Sequence, residues 1–159
     1  MGCASRPPSY FLQSEAPYVR QAPDECGVAC LQMVFEHESI TYDLDWLQRE
    51  VFVPALGGTT FGLMKRAAIS LNAKTALLSG DNLDLAGWIE DGLAPIVYWG
   101  PEDGESRGHF VVVTGMNNQH TYFQVHNGLF EGQAISFEVF MSRWERGDSL
   151  ALLVQSRAK

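Results

Sequence analysis

"QAPDECGVACLQMVFEH", residues 21–37, decides how the rest of the chain is read. Val28, Leu31, Val34 and Phe35 recur at helical spacing with Met33 beside them, which predicts a helix over 26–37. Pro23 fits an N-terminal boundary, and Asp24 or Glu25 is placed to cap it. Cys26 then opens the helix, where the dipole and the unpaired amides favour a thiolate. The competing reading of Cys26 is a buried core thiol. Cys30 lies one turn further along the same face and reads as a small apolar packing residue. The two cannot cross-link within an intact helix, because side chains four residues apart do not meet disulfide geometry.

Working outward, "DLDWLQREVF" (43–52) predicts a second helix, "PALGGTT" a Gly-rich loop and "FGLMKRAAISLN" (61–72) a third helix. "KTALLSG" reads as a short strand. "DNLDLAGWIEDG" reads as a fourth helix, with Asp81 or Asn82 near its cap and Gly92 at its end. From there strands take over. "APIVYWG" (94–100) is short and apolar, and the polar loop "PEDGESRG" follows it. "HFVVVTGM" (109–116) is β-branched and bounded by Gly108 and "NNQ", and "TYFQVH" (121–126) forms an antiparallel hairpin with it. "SFEVFMSRW" (136–144) reads as a helix and "SLALLVQ" (149–155) as a closing strand. Helices dominate the first half and strands the second, so the fold class expected is α+β: a helical N-terminal half packed on an antiparallel sheet from the C-terminal half. Residues 1–17 read as a flexible lead-in or tether and 18–159 as one domain.

A chain of 159 residues, 46% hydrophobic and 19% charged, can bury one substantial core. Its net charge of −8, with eleven scattered basic residues, argues against a nucleic-acid partner, since phosphate binding needs concentrated Lys and Arg. Three cysteines at odd spacing make no disulfide framework. With no Cys-x-x-Cys pair and four dispersed histidines, neither a metal nor a cofactor is expected. No apolar run approaches the length of a membrane span. The Gly-Cys pair at the start resembles the region after the cleavage site of a bacterial lipoprotein, which would put a lipid on Cys3. A plain flexible N-terminus with an incidental Cys is the competing reading. Arg6 stands where an N-myristoyl signal wants Ser or Thr.

A thiol nucleophile needs an imidazole to exchange its proton and to protonate the leaving amine. His109 fits best, opening the strongest strand directly after Gly108, where the sheet faces a cleft. His37 ends the first helix, His120 sits in a turn, and His126, at a strand end, reads as a surface residue. The imidazole also needs an orienting group, and the antiparallel pairing brings Asn127 towards the start of the His109 strand. "NG" equally favours a turn on its own account. Gln21, just ahead of the helix, can offer a side-chain amide to the oxyanion beside the N–H of Cys26.

Together "QAPDECGVACLQMV", "GHFVVVTG" and "VHNG" resemble the bacteriocin-leader-processing cysteine peptidases, the double-glycine leader peptidases that form family thirty-nine of the cysteine peptidases. The resemblance runs from about Tyr18 to Val154 and implies a papain-like fold. It implies Cys26 as nucleophile, His109 as general base and acid, and Gln21 as oxyanion donor. Asn127 falls where the family usually has an Asp followed by Pro. Four residues separate Gln21 from Cys26, where transporter-linked members often have five.

The expectation is therefore a cysteine endopeptidase that cleaves a bacterial leader peptide or exported protein through Cys26, His109 and Asn127. Its partner is a peptide or protein substrate, in the setting of a secretion system. No nucleic acid is involved, and a membrane enters only through a lipid on Cys3. That lipid would place the chain in the bacterial periplasm; without it the cytoplasm is the alternative. Two other functions fit the same residues: a peptidase-like module that binds a secretion substrate without cutting it, and a cell-wall peptide hydrolase of related fold.

Overall fold

The computed structural model describes residues 11–117 and 119–159. An antiparallel sheet runs in the order β2-β7-β3-β4-β5-β6, with β1 against β4. Its strands are β1 (Phe11–Gln13), β2 (Lys74–Ser79), β3 (Ile96–Trp99), β4 (His109–Asn117), β5 (Tyr122–His126), β6 (Gln133–Ser136) and β7 (Leu150–Gln155). The helices are α1 (Cys26–His37), α2 (Leu44–Val51), α3 (Phe61–Ser70), α4 (Asn82–Glu90) and α5 (Phe137–Arg146), with a 3₁₀ turn at Pro54–Leu56.

The central strands β3, β4 and β7 are buried on both sides, which explains their unbroken apolar runs. Ile96, Phe110, Val112, Leu152 and Val154 turn to one face and pack under α1, α2 and α3. Val97, Trp99, Val111, Val113 and Ala151 turn to the other and pack under α4 and α5, around Phe123, Phe140 and Trp144. The mixed helix and antiparallel sheet expected from the sequence is present. Helices α1, α2 and α3 cover one face of the sheet, and α4 and α5 cover the other.

Helix α1 is apolar almost all round and fully enclosed from Val28 to Phe35, except for Gln32. Neither acid ahead of it caps its start. Glu25 holds the cap position without a side-chain bond to the helix and instead accepts from Gln48 Nε2 at 2.9 Å. Asp24 takes a left-handed φ of 61°. Gly27 leaves no room for a side chain, since a Cβ there would stand 2.2 Å from Thr59 Cγ2. Only Gly lets the loop before α3 come this close to the helix start.

The lead-in read as a tether over 1–17 ends in structure. Residues 11–13 form β1, paired with Asn117, Met116 and Gly115 of β4. Leu12 and Ala16 are buried, and Ser14 N–H donates to Thr114 O at 2.7 Å. The short strand β6 was not foreseen either. Cys3, the lipid candidate, lies outside the described residues. Among the described residues, no helix is long and apolar enough to cross a membrane.

Candidate active site

Cys26 is the first residue of α1, and its sulfur faces the main-chain N–H groups of Phe110, Gly27 and Cys26 itself. Those amides stabilise a thiolate, the effect expected at a helix start. Burial acts the other way and dominates, helped by Asp24, so the thiol is pushed above its ordinary value. The expectation that the helix start lowers this thiol is thereby corrected: burial outweighs the amides. Cys30 is fully buried in the core under α1, and its thiol is pushed further up by burial.

The N–H that Phe110 turns towards the sulfur places the start of β4 at Cys26, and His109 is the preceding residue. His109 Nε2 lies 2.6 Å from the main-chain oxygen of Asn127. A carbonyl only accepts, so Nε2 carries the proton and Nδ1 is left as the free base. Burial lowers the His109 pKa; the Asn127 carbonyl raises it and the Arg143 charge lowers it again. Both shifts favour the neutral forms of the imidazole and the thiol. Gly108 is required next to it: a Cβ would stand 2.2 Å from Trp99 O and 2.5 Å from the Tyr98 ring, and Gly108 N–H donates to Tyr98 Oη at 3.1 Å.

Asn127 meets His109 through its backbone, not through the side chain expected to orient the ring. Asn127 Oδ1 instead accepts from the N–H groups of Leu129 (2.8 Å) and Phe130 (2.7 Å), and its Nδ2 donates to Gln133 Oε1. The tendency of "NG" to form turns governs the side chain, while the carbonyl does the orienting. Gln21 N–H donates to Gly128 O at 2.9 Å, and its side chain packs against Gly128. Its Oε1 is buried without a hydrogen-bond partner. Gln21 is thus held beside the turn that carries Asn127.

Cys26 and His109 line neighbouring cavities. The Cys26 cavity, about 230 Å³, is walled by Gly57, Gly58, Tyr98 and Phe110. The His109 cavity, about 350 Å³, is walled by Trp99, Leu129, Ile135 and Arg143. Arg107 and Gly108 border both. Arg107, which sequence reasoning passed over inside a polar loop, reaches across the cleft: its Nη1 donates to Gly57 O at 2.7 Å and lies 3.6 Å from Asp24 Oδ1. The far side of that loop is tied to α5, through Arg143 to Glu105 (3.1 Å) and Arg146 to Pro101 O (3.1 Å).

The other histidines are accounted for elsewhere. His37 Nε2 bonds Gly92 O at 2.7 Å and His120 Nδ1 meets Asn82 Nδ2 at 3.2 Å. His126 is buried rather than at the surface, with Nε2 donating to Ala16 O and Nδ1 accepting from Gly132 N–H. Among the described residues, no group of His, Cys, Asp and Glu is arranged to hold a metal ion.

The same framework is found in solved structures. A double glycine motif protease from an AMS/PCAT transporter, crystallised with its leader peptide, is 19% identical with a TM-score of 0.70, covering 89% of this chain and 92% of its own. The peptidase domain of Streptococcus ComA, a bifunctional ABC transporter of a quorum-sensing pathway, is 23% identical with a TM-score of 0.73, covering 90% and 100%. A C39-like peptidase from Bacillus anthracis is 20% identical with a TM-score of 0.72, covering 96% and 100%. No curated protein sequence matches. These likenesses show the papain-like fold of double-glycine peptidase domains. The sequence model of the Peptidase C39 family matches residues 15–159, and the chain belongs to that family.

Proposed function

We propose that this chain is a cysteine endopeptidase with Cys26 as nucleophile and His109 as general base and acid. The observation that carries the reading is the bond from His109 Nε2 to the Asn127 carbonyl, which fixes the tautomer with Nδ1 free one residue from the Phe110 N–H at the sulfur. Because burial raises the Cys26 thiol and lowers the His109 imidazole, proton transfer accompanies attack. Nδ1 takes the proton from Cys26 as sulfur bonds the scissile carbonyl carbon. The oxyanion is held by the Cys26 N–H, with the Gln21 amide turning in from Gly128. The imidazolium then gives its proton to the departing amine, the C–N bond breaks, and water hydrolyses the thioester with His109 again as base.

The substrate class that the family and the leader-peptide complex support is a linear peptide segment, such as the leader of an exported peptide. Secretion as the setting, and a periplasmic location through a lipid on Cys3, belong to the same proposal. The raised thiol pKa favours a second reading, a module that binds such a peptide without cutting it.

The test is a peptide ending in a Gly-Gly aldehyde, followed by mass spectrometry of the adduct. The peptidase reading expects a thiohemiacetal on Cys26 that is absent in Cys26→Ala and forms about a hundredfold or more slowly in His109→Ala, the usual scale of acid–base assistance. Saturable binding of the peptide with no adduct favours the binding module.

A further inference from the structure

The turn after β5 carries Leu129 and Phe130, 51% and 59% exposed, side by side. Single apolar residues at a surface are ordinary. This pair differs in how it is held and where. Asn127 Oδ1 binds both of its N–H groups, and Asn127 N–H donates to Phe130 O at 3.3 Å. Gly128 and Gly132 take left-handed φ values of 78° and 56°, which lets the turn close around them. Gly128 O accepts from both Tyr18 Oη and Gln21 N–H at 2.9 Å, and Gly132 N–H donates to buried His126. The turn is anchored on all sides while its two apolar side chains stay outside the core. Leu129 borders the same cavity as His109, with Ile135 and Trp99 further along the wall.

Chemistry assigns the two cavities different halves of a substrate. The acyl half stays bonded to Cys26 and occupies its cavity; the amine half leaves from the proton donor, His109, and occupies the other. We propose that Leu129 and Phe130 form the subsite for the leaving half, selecting peptides with a bulky apolar residue within the first residues after the cut. This rests on the assignment of Cys26 and His109 made above. A preformed apolar rim binds such a residue without an ordering cost of its own. Asn127 then serves twice: its carbonyl orients His109 and its side chain presents the rim.

Two synthetic substrates share one acyl half; one continues with Leu-Phe after the cut, and the other ends in a fluorogenic amide with no further residues. The ratio of kcat/KM for the first over the second is expected to fall about tenfold in Leu129→Ser/Phe130→Ser, whose exposed positions leave the core untouched. A ratio unchanged within twofold overturns the subsite. A second measurement needs no turnover: Cys26→Ala protein is titrated with the free-amine peptide Leu-Phe-Ala-Ala and with Ser-Ser-Ala-Ala, following the Leu129 methyl and Phe130 ring resonances. Saturable shifts at least fivefold tighter for the apolar peptide support the subsite, and no shifts with either overturn it. If wild type cleaves neither substrate, the peptidase reading fails while this titration still decides the subsite.

Discussion

His109 is held as a neutral imidazole by burial, and this sets a pH signature of its own. Its folded pKa lies below the unfolded one, so its contribution to stability is whole above the ordinary value of about 6.5 and is lost as pH falls through the folded value. Wild type is therefore expected to lose stability below that pH more steeply than His109→Gln, whose amide can still donate to the Asn127 carbonyl; denaturant titrations across pH read the difference. Asn127→Ala removes the acceptor for two part-buried turn amides and should cost about 1–2 kcal/mol. Asn127→Asp keeps the acceptor and should retain most of that stability and of the activity. A loss of turnover in Asn127→Asp as large as in Asn127→Ala would mean that the Nδ2 bond to Gln133, rather than the turn, matters. The placement of Cys26 at a helix start and of His109 at a strand start was legible because both are local patterns. The direction of the thiol pKa was not, since burial is set by the core packed around Cys26 rather than by its place in α1.

At the scale of elements, the loop between β3 and β4 spans the cleft, held to α5 at one end and to Gly57 and Asp24 by Arg107 at the other. Arg107→Ala releases the near end, and Cys26 is expected to react with iodoacetamide several-fold faster at pH 8; an unchanged rate would mean the loop does not limit access. Gly108→Ala drives a Cβ into Trp99 O and Tyr98, and about 1–3 kcal/mol of destabilisation is expected from such overpacking. The longer elements were readable from periodicity and caps, as with the Asp81 capping box of α4. The strands β1 and β6 were not, because three or four residues are too short to show alternation. "FLQ" becomes a strand only because β4 offers it a free edge beyond β3.

Across the whole molecule, one sheet carries two cores, and the site sits where their boundary, the start of β4, meets α1. The second core depends on α5: Trp144 is fully enclosed and its Nε1 donates to Leu150 O at 2.9 Å. Trp144→Ala should cost about 3–5 kcal/mol, measured by urea unfolding, and should loosen the Arg143 wall of the His109 cavity with it. Sequence reading expected the second half to supply the sheet and the first half the helices. It missed the three layers because amphipathicity shows that a helix has a buried face but not which side of the sheet receives it. The order of the strands has a further consequence for the protein's birth. β7, the last strand in the chain, lies between β2 and β3. A nascent chain that has already made Cys26, His109 and Asn127 still has a gap in the middle of its sheet. A chain with this strand order can close its sheet only when synthesis has passed residue 155.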